Sequence, residues 1–261
     1  MTTEDFIIDL FCRIDDQMNP VPKPSQAHLW PSETVTVGVL FGLKGVGERA
    51  FYRWLVRDYH PLFPRLPERS RLFRLLRTHR AWTYRFLAAP TLLGVIDPYG
   101  IELLHPRREG RSRTQWGRKG VSTHRWIVGG KLCLLLNRLG LIVGWSCGTA
   151  HVYDTLFHPL VDIVKSRLVV LADHSFPAAQ GDPPNRKLCR RGQWNDRMLV
   201  ETVLSMMTVG SHLKHVRHRC WDYLLARLAF LVTAVNILLQ WNGLPADAQG
   251  FVHLSMAEFS L

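Results

Sequence analysis

Thr91-Leu-Leu-Gly-Val-Ile-Asp97 and Arg167-Leu-Val-Val-Leu-Ala-Asp173 are short apolar runs, each closed by an aspartate. Unbroken apolar stretches of this length read as strands buried on both faces, as in sheets covered by helices. Ligands of open α/β sheets collect outside the carboxyl ends of strands, which is where Asp97 and Asp173 are expected to fall. A third acid, Glu201, lies inside a helical stretch at residues 195–207. One carboxylate at the exit of each of two strands, plus a third on a later helix, can hold a pair of Mg2+ or Mn2+ ions. Asp97 is the expected bridging ligand, with Asp173 on one ion and Glu201 on the other. An aspartate at a strand exit is equally a common turn or cap residue. Asp154 and Asp162 are rival acids, and Asp162 reads as an exposed helix residue.

Charge gives this trio its direction. Among 261 residues, 33 Lys and Arg face 21 Asp and Glu, a net charge of +12. Such an excess points to a polyanionic partner, nucleic acid first and an anionic membrane second. Five cysteines without a C-x-x-C pair exclude a disulfide framework or zinc finger and fit a reducing cytoplasm. The N-terminus is acidic, unlike a signal peptide. Residues 223–240 are the most apolar stretch, but Arg227, Asn236 and Gln240 interrupt them, so a buried helix is expected rather than a membrane span.

Outward from the two runs, residues 1–89 read as helical. Helices are expected at 5–15, from Pro31 through Leu40 with Ser32 or Thr34 as cap, at 47–59, and after Pro67. The last carries Arg69, Arg71, Arg74, Arg77 and Arg80 opposite Leu72, Phe73 and Leu76, so it should bury one side and present guanidinium groups on the other. After Ile96 comes a basic loop with Arg107, Arg108, Arg111, Arg113, Arg118, Lys119 and Arg125, interleaved with Trp116 and Trp126. Asn137-Arg-Leu-Gly140 joins two apolar strands as a hairpin. A helix at 153–164, the strand ending at Asp173, a polar loop at 177–194 with Arg190 and Arg191, and two helices complete the order. Strand, hairpin, helix, parallel strand and helix is the order of a ribonuclease-H-like mixed α/β sheet, here preceded by an all-helical region.

Several motifs resemble bacterial insertion-sequence transposases of the DDE type over nearly the whole chain. Phe51-Tyr-Arg-Trp-Leu55 and Phe63-Pro-Arg-Leu-Pro-Glu-Arg-Ser-Arg-Leu-Phe-Arg74 resemble the helical leader of one such group. Val95-Ile-Asp97 resembles the first-acid motif, Gly130-Lys131-Leu the G-x-K-x-H strand, and Val170-Leu-Ala-Asp173 the second acid. Gly148-Thr-Ala-His-Val-Tyr-Asp154 resembles the segment ending in HD. Trp194-Asn-Asp-Arg-Met-Leu-Val-Glu201 resembles the R-x-x-x-E helix, with Arg197 one turn before Glu201. Cys133 stands where that strand carries His, and His-Ser-Phe follows Asp173.

The resemblance implies a helical end-binding region at 1–89, a catalytic domain at 90–245 and a tail at 246–261. It implies catalysis by Asp97, Asp173 and Glu201 with two Mg2+ or Mn2+ ions, and DNA contacts from Lys131 and Arg197 beside the loop bases. The implied partners are the terminal inverted repeats of an element and target DNA, engaged by a homodimer in the cytoplasm. A nuclease without strand transfer and a non-catalytic DNA-binding descendant are the alternatives. Trp116, Trp126 and Trp194, in or beside basic loops, are base-stacking candidates.

Overall fold

The computed structural model describes residues 1–111, 115–122, 125–173, 176, 183–189, 198–213, 218, 220–241, 243–244, 252, 254–256 and 259. Within these, a six-stranded mixed sheet is flanked by helices. The N-terminal part contributes α1 (Thr3–Met18), α2 (Pro31–Lys44), α3 (Glu48–Asp58) and α4 (Arg69–Thr78). The sheet follows with β1 (Leu93–Leu104), β2 (Gly120–Ser122), β3 (Arg125–Asn137) and β4 (Ile142–Thr149). Then come α5 (His158–Ile163), β5 (Val169–Ala172), β6 (Arg186–Leu188), α6 (Met198–Gly210) and α7 (Trp221–Trp241).

The strands are ordered β4-β3-β1-β5-β6, with β2 pairing only the first residues of β3. β1 runs antiparallel to β3 and parallel to β5, and β5 runs parallel to β6. The β3–β4 hairpin closes as expected, but its Asn and Gly divide the work. Gly140 takes the left-handed conformation at φ 78°, while the Asn137 side-chain oxygen accepts from the N–H groups of Leu139 and Leu141.

Two cores lie on opposite faces of the sheet. On one, Ile96, Cys133, Leu135, Val170 and Ala172 pack with Phe157 and Val161 of the α5 region. On the other, Val95, Leu132, Leu134 and Leu136 join α6, α7 and the N-terminal helices in one continuous core. Side chains from both sides of residue 89 therefore share a single apolar interior.

The axis of that interior is the crossing of α2 and α7. Gly38 lets the ring of Phe230 lie against the α2 backbone, and a Cβ added at Gly42 would sit 3.1 Å from the Leu231 nitrogen. Gly38→Ala would overlap the Phe230 ring, so it is expected to cost about 2 kcal/mol. Phe230→Leu in the same chain should recover part of that loss in thermal unfolding. An unchanged midpoint for Gly38→Ala would contradict this packing.

Helix α7 is long and apolar enough to cross a membrane by length and composition, yet 78% of its most apolar window is buried inside the protein. Two of the polar residues that interrupt it, Arg227 and Asn236, serve the fold. Arg227 donates to the Val46 carbonyl at 3.1 Å and lies 4.7 Å over the Phe41 ring. Burial pulls its pKa down to about 10, which leaves it charged at neutral pH. Asn236 is fully buried; its amide nitrogen donates to the carbonyls of Phe86 (2.9 Å) and Ile142 (2.8 Å), and its oxygen accepts from the Ile142 N–H (2.8 Å). One α7 side chain thus fastens the start of β4 and the segment leading into β1.

Three local expectations are corrected. α2 is capped neither by Ser32 nor by Thr34; the Glu33 carboxylate accepts from the Trp30 N–H, and the Thr34 hydroxyl turns inward onto the Trp30 carbonyl. β1 runs on to Leu104 instead of stopping at Ile96, so Asp97 lies within a strand. Among the described residues its second half pairs only with β3, and a strand paired on one side tolerates Pro98. Finally, residues 186–188 form an edge strand inside what reads as a polar loop. The Arg186 guanidinium of this strand donates to the Phe176 carbonyl.

Candidate functional site

The parallel register of β1 and β5 organises the acids. Leu93, Gly94 and Val95 pair with Val169, Val170 and Leu171, a constant offset of 169 − 93 = 76 residues. Continued by two residues, the same offset sets Asp97 level with Asp173, where β5 leaves the sheet. Neighbouring strands lie about 4.8 Å apart, so the two carboxylates start from adjacent backbone positions. Side chains alternate across a strand, which turns Asp97 to the face of Val95. Leu199 of α6 shares a small pocket with Leu93, Gly94, Val95 and Leu171. Asp97 is therefore directed to the face that α6 covers, and both aspartates are half-buried.

Helix α6 buries Val200, Val203, Leu204 and Met207 against this face. Further along, the Thr208 hydroxyl reaches the Tyr99 hydroxyl oxygen at 3.5 Å. Leu199 near the start of β1 and Thr208 over Tyr99 lay the helix along the strand. Glu201 precedes Thr208 by seven residues, two helical turns, so both occupy one flank. Glu201 itself is exposed. Among the described residues, no three His, Cys, Asp or Glu side chains come together closely enough to hold a metal ion. The extended β1–β5 register thus puts the two aspartates at one level, and Glu201 lies on a solvent-facing flank of the helix above the face of Asp97.

The opposite face holds a different constellation. The Lys131 ammonium donates to the Asp154 carboxylate at 2.9 Å and to the Val152 carbonyl at 2.7 Å, with both charged side chains largely buried. The G-x-K strand and the segment ending in Asp154, distant in sequence, form one ion pair. Asp154, the rival acid, is therefore engaged by Lys131. Burial, followed by the nearby carboxylates of Asp97 and Asp154, pushes the Cys133 thiol well above its usual range. A fully buried neutral thiol is a poor metal ligand, so any ions here would rely on oxygen donors.

The basic segment between β1 and β3 is tied down. The Gly110 N–H donates to Gln115 Oε1 (2.6 Å), that of Lys119 to Glu109 Oε1 (2.8 Å), and that of Arg118 to His151 Nδ1 (3.1 Å). Trp116 packs against Trp221 with ring centroids 5.7 Å apart. This scaffolding leaves Arg107, Arg108, Arg111, Arg118 and Lys119 exposed. Arg113, Arg190, Arg191, Arg197 and Trp194 lie outside the described residues. On α4, Arg69, Arg71 and Arg74 are exposed as expected, whereas Arg77 lies 5.3 Å over the Tyr223 ring; just past the helix, Arg80 reaches Asp222 at 3.4 Å. Tyr99 and Thr208, which set α6 over the acids, escape sequence reading because neither belongs to a charged motif.

No protein family, curated protein or solved structure matches the chain.

Proposed function

We propose that this chain is a metal-dependent DNA transposase of the DDE type, with a ribonuclease-H-like sheet that cuts and rejoins phosphodiester bonds. The observation that carries the reading is the parallel register of β1 and β5, whose offset, continued by two residues, puts Asp97 level with Asp173. The strand order β4-β3-β1-β5-β6, with only the first three strands antiparallel, is that of a ribonuclease-H-like sheet and supports it.

Asp97, Asp173 and Glu201 would hold two Mg2+ or Mn2+ ions. Ions bound there make a water or a 3′-hydroxyl a competent nucleophile and stabilise the leaving oxygen. Half-burial of the aspartates suits them to this role, since it limits competing solvation of the carboxylates. The exposed arginines of α4 and of the segment after β1 would bind the terminal repeats and target DNA, in a homodimer within the cytoplasm.

Two experiments test this. A labelled duplex should bind with a log-affinity against log-salt slope of about −5, as expected when five or six phosphates displace counterions. A slope near zero would remove nucleic acid as the partner. Mg2+-dependent nicking of supercoiled plasmid, followed by joining of a 3′-hydroxyl end to a target, then separates transposase from simple nuclease. The exposed position of Glu201, outside any three-member cluster, favours a second reading, a non-catalytic DNA-binding descendant. Binding without nicking would select it.

A further inference from the structure

The tip of the β2–β3 ribbon carries the feature that the acids leave unused. Trp126 is 55% exposed and its register partner Val121 is 54% exposed, although both lie in paired strands. A large indole is ordinarily buried, and here it is held out on a β-ribbon instead. The Lys119 ammonium lies 5.0 Å from its ring centroid, and Arg118 and Arg125 are exposed alongside. Two acids are near: Glu102 reaches Arg125 at 3.6 Å, and Glu109 accepts from the Lys119 N–H. Arg118 and Lys119 are both exposed.

Trp126 shares the alternation of Leu132 and Leu134 on β3, and Leu134 pairs with Asp97. By that alternation the indole belongs to the sheet face of Asp97. Eight residues of β3 separate Trp126 from the level of Asp97, a span of about 27 Å at ~3.4 Å per residue. That is roughly eight base-pair steps of duplex.

We propose that Trp126 is a stacking platform for an unpaired nucleobase of DNA, with Lys119 and Arg118 binding the phosphates beside it. The proposal rests on the DNA-processing reading and adds an unpaired element to its substrate. An aromatic face bordered by cations stacks a base without regard to sequence, whereas a paired base offers no free face to it. The platform would hold DNA strands apart at a fixed distance from the carboxylates.

The test uses the full chain in EDTA and two labelled probes, a blunt duplex of about 20 base pairs and the same duplex with an unpaired 3′ extension. The extension carries 2-aminopurine at its first unpaired position. The parent should bind the extended probe about tenfold more tightly and quench its fluorescence. Trp126→Ala should lose both the preference and the quenching, with blunt-duplex affinity changed less than about twofold, and Trp126→Phe should keep most of the preference. Unchanged preference in Trp126→Ala, or no preference in the parent, would overturn the platform while leaving duplex binding intact. Failure of the parent to bind either probe would overturn the DNA reading and the platform together.

Discussion

Asp97→Ala is expected to lower Mg2+-dependent plasmid nicking by about a thousandfold or more, a loss of ~4 kcal/mol in transition-state stabilisation. Duplex affinity should change little, because the exposed arginines lie on other segments. The expectation follows from the register: Asp97 belongs to the central strand, level with Asp173, at the position able to bridge two ions. Asp97→Asn keeps the volume and should fail equally. Asp162→Ala alters an exposed carboxylate on α5, across the sheet, and should nick like the parent. A nicking activity that survives Asp97→Ala, or that is lost in Asp162→Ala, would remove the site from this level of the sheet.

The largest stability effect is expected at Asn236. Asn236→Leu preserves size but takes the Asn236 partner from the Ile142 N–H and the Phe86 carbonyl in the interior, while the Ile142 carbonyl keeps the Ala88 N–H. Each stranded group costs about 1–3 kcal/mol, so the total should approach ~4 kcal/mol, a large part of a typical stability of ~5–15 kcal/mol. The melting midpoint should fall by about 10 °C or more. Gln240→Leu, one turn later and exposed, removes a single local bond to the Asn236 carbonyl and should shift the midpoint by about 1–2 °C. Equal effects from the two substitutions would show that the Asn236 bonds do not fasten β4 to α7.

Much of the architecture is legible in the chain because local chemistry decides it. The unbroken run before Asp173 becomes β5, Asn137 and Gly140 close a hairpin, and α7 is buried despite its membrane-like composition. What escapes reading depends on pairing at a distance. Pro98 and Gly100 look like the end of a strand, yet β3 carries β1 on to Leu104. Arg186-Lys-Leu188 has no strand pattern of its own and becomes one only because β5 offers an edge. The acids divide in the same way. Their identity is visible in sequence, but the offset that levels Asp97 with Asp173 is a property of the sheet. Likewise, nothing local to Glu201 determines whether its flank of α6 is buried or exposed.

The crossing of α2 and α7 also constrains how the chain can be made. Helix α2 is apolar nearly all round, and the surface around Gly38 and Gly42 is sealed by Phe230 and Leu231, close to 190 positions later in the sequence. A chain emerging from the ribosome therefore exposes that surface through most of its synthesis. At about 5–20 residues per second, this lasts on the order of ten seconds or more. A product terminated before α7 would never seal it. Such a fragment would carry the α4 arginines beside an uncovered apolar helix, so shortened copies of this chain would be prone to aggregate and would call on chaperones. The last long helix is thus the step that commits the whole chain to its folded state.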